Sequence, residues 1–160
     1  MWSMTSVEEL REKLYSECGR STACRNAADY YVALVKNPCY PPAVRVTYKM
    51  RRYYMEFVMK YGLPPRCDVK KLVEERLRGT VMAKYAHEAA ELAKLVKKEL
   101  RITSRVAAAV ATAAVAERYG VNVTRGSIAA HFGVSYVAMR AHLRHAFKLY
   151  TDMQKALNKA

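Results

Sequence analysis

Residues 124–143 read TRGSIAAHFGVSYVAMRAHL, an order of small, apolar and turn-forming residues that predicts two helices joined by a tight turn. Thr124 is suited to cap the first helix and Ser135 the second, since short hydroxyl side chains satisfy free backbone amides at helix starts. Gly133 between them is suited to the left-handed backbone conformation that such a turn requires. The side chains expected to face inward are Ile128, Phe132, Ala138, Met139 and Leu143.

This order is typical of a helix-turn-helix, whose second helix enters the major groove of DNA. Arg140 is the candidate for a base-edge or phosphate contact, because a guanidinium binds guanine O6 and N7 bidentately, and Val137 is the candidate for a thymine methyl contact. The full set of predicted DNA-binding residues in this segment is Arg125, Ser127, Ser135, Tyr136, Val137, Arg140, Arg144 and Lys148. A purely structural helical hairpin with the same apolar spacing is the alternative.

Within that set, phosphate contacts that fix position without reading sequence are assigned to Arg125, Arg144 and Lys148. Ser127 lies near the start of the first helix, where a backbone amide can bind a phosphate. The three histidines of the region lack the spacing of a metal site, and no metal ligand set is expected.

An alanine-rich helix is predicted over 105–119, immediately before this segment, with Gly120 ending it. Its small side chains let neighbouring helices approach on several sides, so we expect it to be the central, buried helix. The other predicted helices cover residues 5 or 6 to 18 with a capping box at Ser6 and Glu9, 22–36, 43–61, about 68–77 with Asp68 as N-cap, and 80–100.

The predicted fold class is therefore all-α, a helical bundle with a C-terminal helix-turn-helix. A Gly-Leu-Pro-Pro sequence at 62–65 marks the best candidate for a boundary. We expect an N-terminal helical subdomain over 1–65, which serves in dimerisation or as extra DNA-binding surface, and a second helical domain over 66–160.

The charge balance points to an acidic polymer as partner. Twenty-eight Lys and Arg face fourteen Asp and Glu, a formal net charge of +14 with a pI near 9.8. Between Arg118 and Tyr150 there is no acidic residue at all. Double-stranded DNA is the expected partner, ahead of a merely basic soluble surface, with an anionic membrane ranked below both.

A second basic segment, 45–60, interleaves tyrosines with Arg and Lys. Tyrosine on an amphipathic helix more often packs with its hydroxyl at the rim than binds nucleic acid. We therefore expect packing for the tyrosines, with Arg51 and Arg52 as the candidates for DNA contact.

The cysteine content, the amide content and the absence of catalytic motifs bear on metal binding, the source of the protein and catalysis. The four cysteines are Cys18, Cys24, Cys39 and Cys67. They contain no Cys-x-x-Cys pair, so a zinc site is not expected. They could be free thiols or form two disulfides, whose pairing the sequence leaves open. One Gln and four Asn indicate a hyperthermophilic source, in which intracellular disulfides occur. No catalytic motif is present, so neither an enzyme nor a cofactor is expected.

The N-terminus lacks the features of a signal peptide and no apolar run has the length of a membrane span. The expected location is the cytoplasm, in association with the nucleoid, or a virion if the protein coats DNA. No membrane partner is expected.

Residues 86–150 resemble the C-terminal cyclin-like repeat of the general transcription factor B family. The matching stretches are HEAAELA at 87–93, the alanine-rich helix, and SIAAHFGVSYVAMR at 127–140. The resemblance implies a helix-turn-helix that contacts promoter DNA beside the TATA element, with Val137 and Arg140 at the base edges. The chain has no zinc ribbon or convincing first repeat, and Ala138 stands where the family has Thr, which leaves either a reduced relative or an unrelated protein that converges on the same trihelical hairpin.

Two functions compete at this point. The leading one is a transcription regulator or promoter-associated factor. The alternative is a structural nucleoprotein that coats DNA without reading it, as chromatin proteins or the capsid proteins of filamentous DNA viruses do. A homo-oligomer is expected in either case.

Overall fold

The computed structural model describes the backbone of residues 4–159 and the side chains of residues 6–159. This part of the chain is helical, without a strand, which confirms the predicted all-α class. Its α-helices are α1 (Met4–Cys18), α2 (Thr22–Lys36), α3 (Tyr48–Tyr61), α4 (Val69–Leu77), α5 (Ala86–Leu100), α6 (Ser104–Arg118), α7 (Arg125–His131) and α8 (Tyr136–Lys159). None of these helices is long and apolar enough to span a membrane.

The chain divides into two compact units, Met1–Arg66 and Cys67–Ala160, here called the N-terminal unit and the C-terminal unit. In the N-terminal unit α2 packs against both α1 and α3. Its core includes the fully buried Leu14 and Tyr31, and the Tyr31 hydroxyl donates a hydrogen bond of 2.6 Å to the carbonyl of Gly62. This unit therefore has an apolar core of its own.

A disulfide between Cys18 and Cys24 joins the end of α1 to the start of α2. Cys39 and Cys67 are disulfide-bonded as well, so none of the four is a free thiol. Gly19 follows α1 with φ +58°, the left-handed conformation that lets the chain reverse.

Three predicted helix starts are wrong. Helix α1 already begins at Met4, so Ser6 lies inside it and cannot cap it, and the true N-cap falls outside the described residues. Helix α3 begins at Tyr48 instead of residue 43, because Thr47 provides the cap: its Oγ1 accepts the Met50 amide hydrogen at 3.2 Å.

The third error concerns the helix predicted from residue 80. The Thr80 hydroxyl donates to the Leu77 carbonyl and accepts from the Met82 amide, which holds a turn there. A 3₁₀ turn, Ala83–Tyr85, follows, and α5 begins only at Ala86.

The C-terminal unit is built around α6. Every residue from Ala107 to Ala116 is buried, and α6 packs against α4, α5, α7 and α8. This confirms the predicted central position, which the alanine side chains permit because they let four helices approach one axis. Helix α7 packs on α6 and α8, and α8 packs on α5, α6 and α7, while Val137 and Arg140 of α8 remain exposed.

Candidate nucleic-acid interface

Residues 132–135 form the turn between α7 and α8. Gly133 has φ +68°, and the Val134 amide donates back to the Ala129 carbonyl at 3.0 Å, which closes α7 with a Schellman-type bond. The Ser135 Oγ accepts the Ala138 amide hydrogen at 3.1 Å and so caps α8. The structure thus contains the two capped helices and the tight turn that residues 124–143 predict.

The inner faces of α7 and α8 pack as expected. Ile128, Phe132, Met139 and Leu143 are buried, and Phe132 and Met139 are inaccessible to solvent. Ala138 is only half-buried, so its predicted inward position is at the margin of the core. The buried side chains fix which face of α8 points outward.

That outward face carries Val137, Arg140, Arg144 and Lys148, which we call the basic face of α8. These residues are three or four positions apart and therefore share one side of the helix. All four are exposed, and Val137 keeps 77% of its surface accessible. Ser135 and Tyr136 are exposed beside them at the start of α8.

Two predicted phosphate contacts are already engaged within the chain. Arg125 Nε donates to Glu117 Oε1 at 2.6 Å and its guanidinium lies over the Phe147 ring, and the hydrogen bond to Glu117 raises the pKa of the guanidinium. The Ser127 amide donates to Thr124 Oγ1 at 3.0 Å and its hydroxyl to the Thr124 carbonyl. These bonds hold the start of α7 in place and engage the Nε of Arg125 and the amide and hydroxyl donors of Ser127 within the chain.

Arg105 is a residue of the site that sequence reasoning missed. Its Nη1 donates to the carbonyl of Gly133 at 3.2 Å and so ties the turn to the start of α6. A cation in the first turn of a helix is disfavoured by the helix dipole. This unfavourable position of a cation was the only indication in the sequence that Arg105 bonds to a part of the chain outside α6.

Glu88 is the second missed residue, and it anchors the far half of α8. Its carboxylate accepts hydrogen bonds from the Tyr150 hydroxyl at 2.6 Å, the Tyr119 hydroxyl at 3.0 Å and the Gln154 amide at 3.4 Å. The Arg118 guanidinium lies 5.3 Å from the Tyr119 and Tyr150 ring centres. Burial, reinforced by the hydrogen bond to Glu88, raises the pKa of Tyr150.

Helix α8 is thus held at the turn by Arg105 and near its middle by Glu88.

Comparisons of the chain with family models, with curated proteins and with solved structures find no match. Across residues 6–159, no three His, Cys, Asp or Glu side chains are grouped so that they could hold a metal ion. The binding partner of this interface is therefore inferred from the charge and exposure of its own side chains.

The N-terminal unit presents a separate basic surface on α3. Arg51 and Arg52 are exposed there, as is Tyr48 with 84% of its surface accessible. Tyr54 instead packs within the unit, with its ring centre 5.7 Å from that of Tyr30, as predicted for the tyrosines of this segment, whereas the exposed Tyr48 does not follow that prediction. The two arginines belong to a different unit from α8 and form a second candidate surface.

Proposed function

We propose that the chain binds double-stranded DNA with the basic face of α8 in the major groove, as a transcription regulator or promoter-associated factor. The observation that carries the proposal is this face itself: three exposed cations and an exposed valine on a helix whose opposite side is buried. An α-helix fits the major groove, which is about 12 Å wide. No acidic residue between Arg118 and Tyr150 repels the phosphates.

In this proposal Arg140 reads a base edge and Val137 packs on a thymine methyl. Arg144 and Lys148 lie one and two turns further along α8, where they reach phosphates. Tyr136 and Ser135, exposed at the start of the helix, complete the surface. The bonds of Arg105 and Glu88 preorganise α8, so that little ordering free energy is spent on binding.

We further propose that the C-terminal unit is a reduced relative of the cyclin-like repeat of the general transcription factor B family. The support is the similarity of residues 86–150 together with the position of α7 and α8 at the end of a unit centred on α6. Under this proposal the DNA target is promoter DNA.

One observation favours a second candidate, a nucleoprotein that coats DNA without reading it. The exposed Arg51 and Arg52 add cations on the other unit, and the net charge of +14 is spread over both. Charge distributed in this way binds any duplex through counterion release. A homo-oligomer along the DNA would follow from this function.

A competition titration separates the two functions. The purified protein is titrated with a duplex selected from a random pool, with random duplex and with single strands, at several salt concentrations. For a regulator we expect the selected duplex to be bound ~10³-fold or more tightly than random duplex. A ratio near one, with saturation at a fixed number of base pairs per subunit, would favour the coating protein, and no binding to duplex would refute both.

The α5–α6 connection offers a prediction in which stability changes and DNA binding does not. Arg101 caps α5 with φ +52°, the one non-glycine residue with positive φ among those the structure describes. Arg101→Gly is expected to raise the free energy of unfolding by about 0.5–1 kcal/mol, because glycine adopts this conformation without a Cβ penalty. Arg101 is exposed outside the basic face of α8, so the salt slope of DNA binding is expected to stay nearly the same.

Thermal unfolding and a salt titration measure the two effects. Arg101→Lys is the matched control, since it keeps both the charge and the Cβ and should change neither value much. A salt slope lowered by about one in Arg101→Gly would show instead that Arg101 contacts a phosphate.

A further inference from the structure

Helix α3 carries a row of exposed side chains on the side opposite its buried Phe57. Three of the four are large and apolar, and Met59 keeps 86% of its surface accessible. We call this row the outer stripe of α3, and its members are Tyr48, Arg52, Met55 and Met59. We propose that two copies of the chain associate through their outer stripes, with the two α3 helices antiparallel. This proposal is independent of DNA binding.

The spacing of the outer stripe is that of a helix–helix seam. Its members follow one another at intervals of four, three and four residues. Alternating intervals of four and three average 3.5 residues, the repeat that keeps one side of a helix against a partner helix in a coiled coil. Helix α3 already packs on α2, and its buried side contains Met50 and Phe57. Its outer stripe is a second apolar surface, and such exposed patches mark contacts with another protein.

The charges on α3 favour a second copy and set its direction. Glu56 is the one acidic residue of α3 and lies beside the stripe, one turn after Arg52. Neither residue forms an ion pair within the described residues. In a parallel pair, Arg52 would lie against Arg52 of the second copy, and opposed like charges across an interface are unfavourable.

An antiparallel pair removes this repulsion. Its twofold axis keeps each flank of the stripe beside the same flank of the second copy. If the axis passes at position 54, Arg52 and Glu56 are each two residues from the centre. Arg52 of one copy then lies at the level of Glu56 of the other, and the symmetry produces this ion pair twice.

The same register brings the apolar side chains together. Met55 is one residue from the centre and lies against Met55 of the second copy, while Tyr48 near one end of the seam approaches Met59 at the other. A methionine sulfur makes favourable contacts with an aromatic ring. Arg52 is the single charged member of the stripe, and one polar residue in a seam fixes the register at some cost in affinity.

Duplex DNA is the competing occupant, because Arg51 and Arg52 are exposed on α3. DNA would provide phosphates for the arginines, but it would repel the Glu56 carboxylate and leave Met55 and Met59 without an apolar partner. A second copy satisfies the acid, the arginine and both methionines in one arrangement. The observations therefore favour association of the chain with itself.

Sedimentation equilibrium of the full-length protein without DNA tests the proposal. Because the seam is short, we expect a monomer–dimer equilibrium with a dissociation constant of about 1–100 µM. Arg52→Glu replaces two ion pairs by two repulsions and should raise this constant ~10-fold or more. Combining Arg52→Glu with Glu56→Arg re-forms both pairs with exchanged signs and should return the constant close to the wild-type value.

Met55→Glu places two carboxylates at the centre of the seam and should leave the protein monomeric. Val81→Glu is the matched control, since it changes an exposed aliphatic residue of the C-terminal unit and should not alter dimerisation. All substituted positions are exposed, so the melting temperature of the monomer should change little.

Three results would overturn the proposal: a wild type that stays monomeric at millimolar concentration, a dimer that Met55→Glu leaves intact, or a double variant that does not recover. In the first case, duplex is added to the protein and hydrogen exchange of α3 is measured. Protection of α3 by duplex would assign the outer stripe to DNA.

Discussion

Arg140→Ala is expected to weaken binding to the selected duplex by about 5- to 150-fold, the equivalent of ~1–3 kcal/mol for a bidentate base contact. The affinity for random duplex should fall much less, because random duplex lacks the specific base contact and loses only the attraction of one charge to phosphates. The reason lies in the position of Arg140, which is exposed in the second turn of α8 on the same side as Val137, whereas the neighbouring Met139 is buried. A competition assay against both duplexes measures the change.

Three variants make this result specific. Arg144→Ala should weaken all duplexes about equally and lower the salt slope by about one, as expected for a phosphate contact. Arg140→Lys keeps the charge but not the bidentate geometry, so it should lose discrimination and retain the slope. Arg20→Ala removes the same charge from an exposed position between α1 and α2. Equal effects of Arg140→Ala and Arg20→Ala would contradict reading of sequence by α8.

Much of the fold follows from local signals. Helix α2 ends at Lys36 where Asn37 precedes a proline, and α4 begins after Asp68, whose side chain accepts two amide hydrogens. The failures occur where two local signals compete. Residues 43–47 continue the helical pattern of α3, yet they include Val44, Val46 and Thr47, which are β-branched and exposed, so no packing offsets their weaker helix propensity.

The interface was predictable to the extent that helical periodicity determines it. Once Met139 and Leu143 face inward, Val137 and Arg140 must face outward. The pairing of Arg125 with Glu117 was not predictable, because it depends on the path of the chain between α6 and α7. The bonds of Arg105 to the turn and of Glu88 to Tyr150 join residues 28 and 62 positions apart, beyond any local pattern.

Phe132→Ala is expected to lower the free energy of unfolding of the C-terminal unit by about 3–5 kcal/mol, the usual cost of removing a fully buried phenylalanine ring. The ring lies at the junction of α7 and the turn, where it is inaccessible to solvent. Because the N-terminal unit has its own core, its amides should keep their protection. Native-state hydrogen exchange resolves the two units in one experiment.

Phe57→Ala is the reciprocal control, since Phe57 is buried in the core of the N-terminal unit. It should reduce protection in α1–α3 and spare α6–α8, and equal loss across both units from either variant would show one cooperative block. If the units respond separately, Phe132→Ala also provides a test of function. Under conditions where only the N-terminal unit remains folded, residual duplex binding measures the binding that does not require a folded α8, including the contribution of Arg51 and Arg52. Strong residual binding would favour the coating protein, whereas its loss would assign DNA binding to α8.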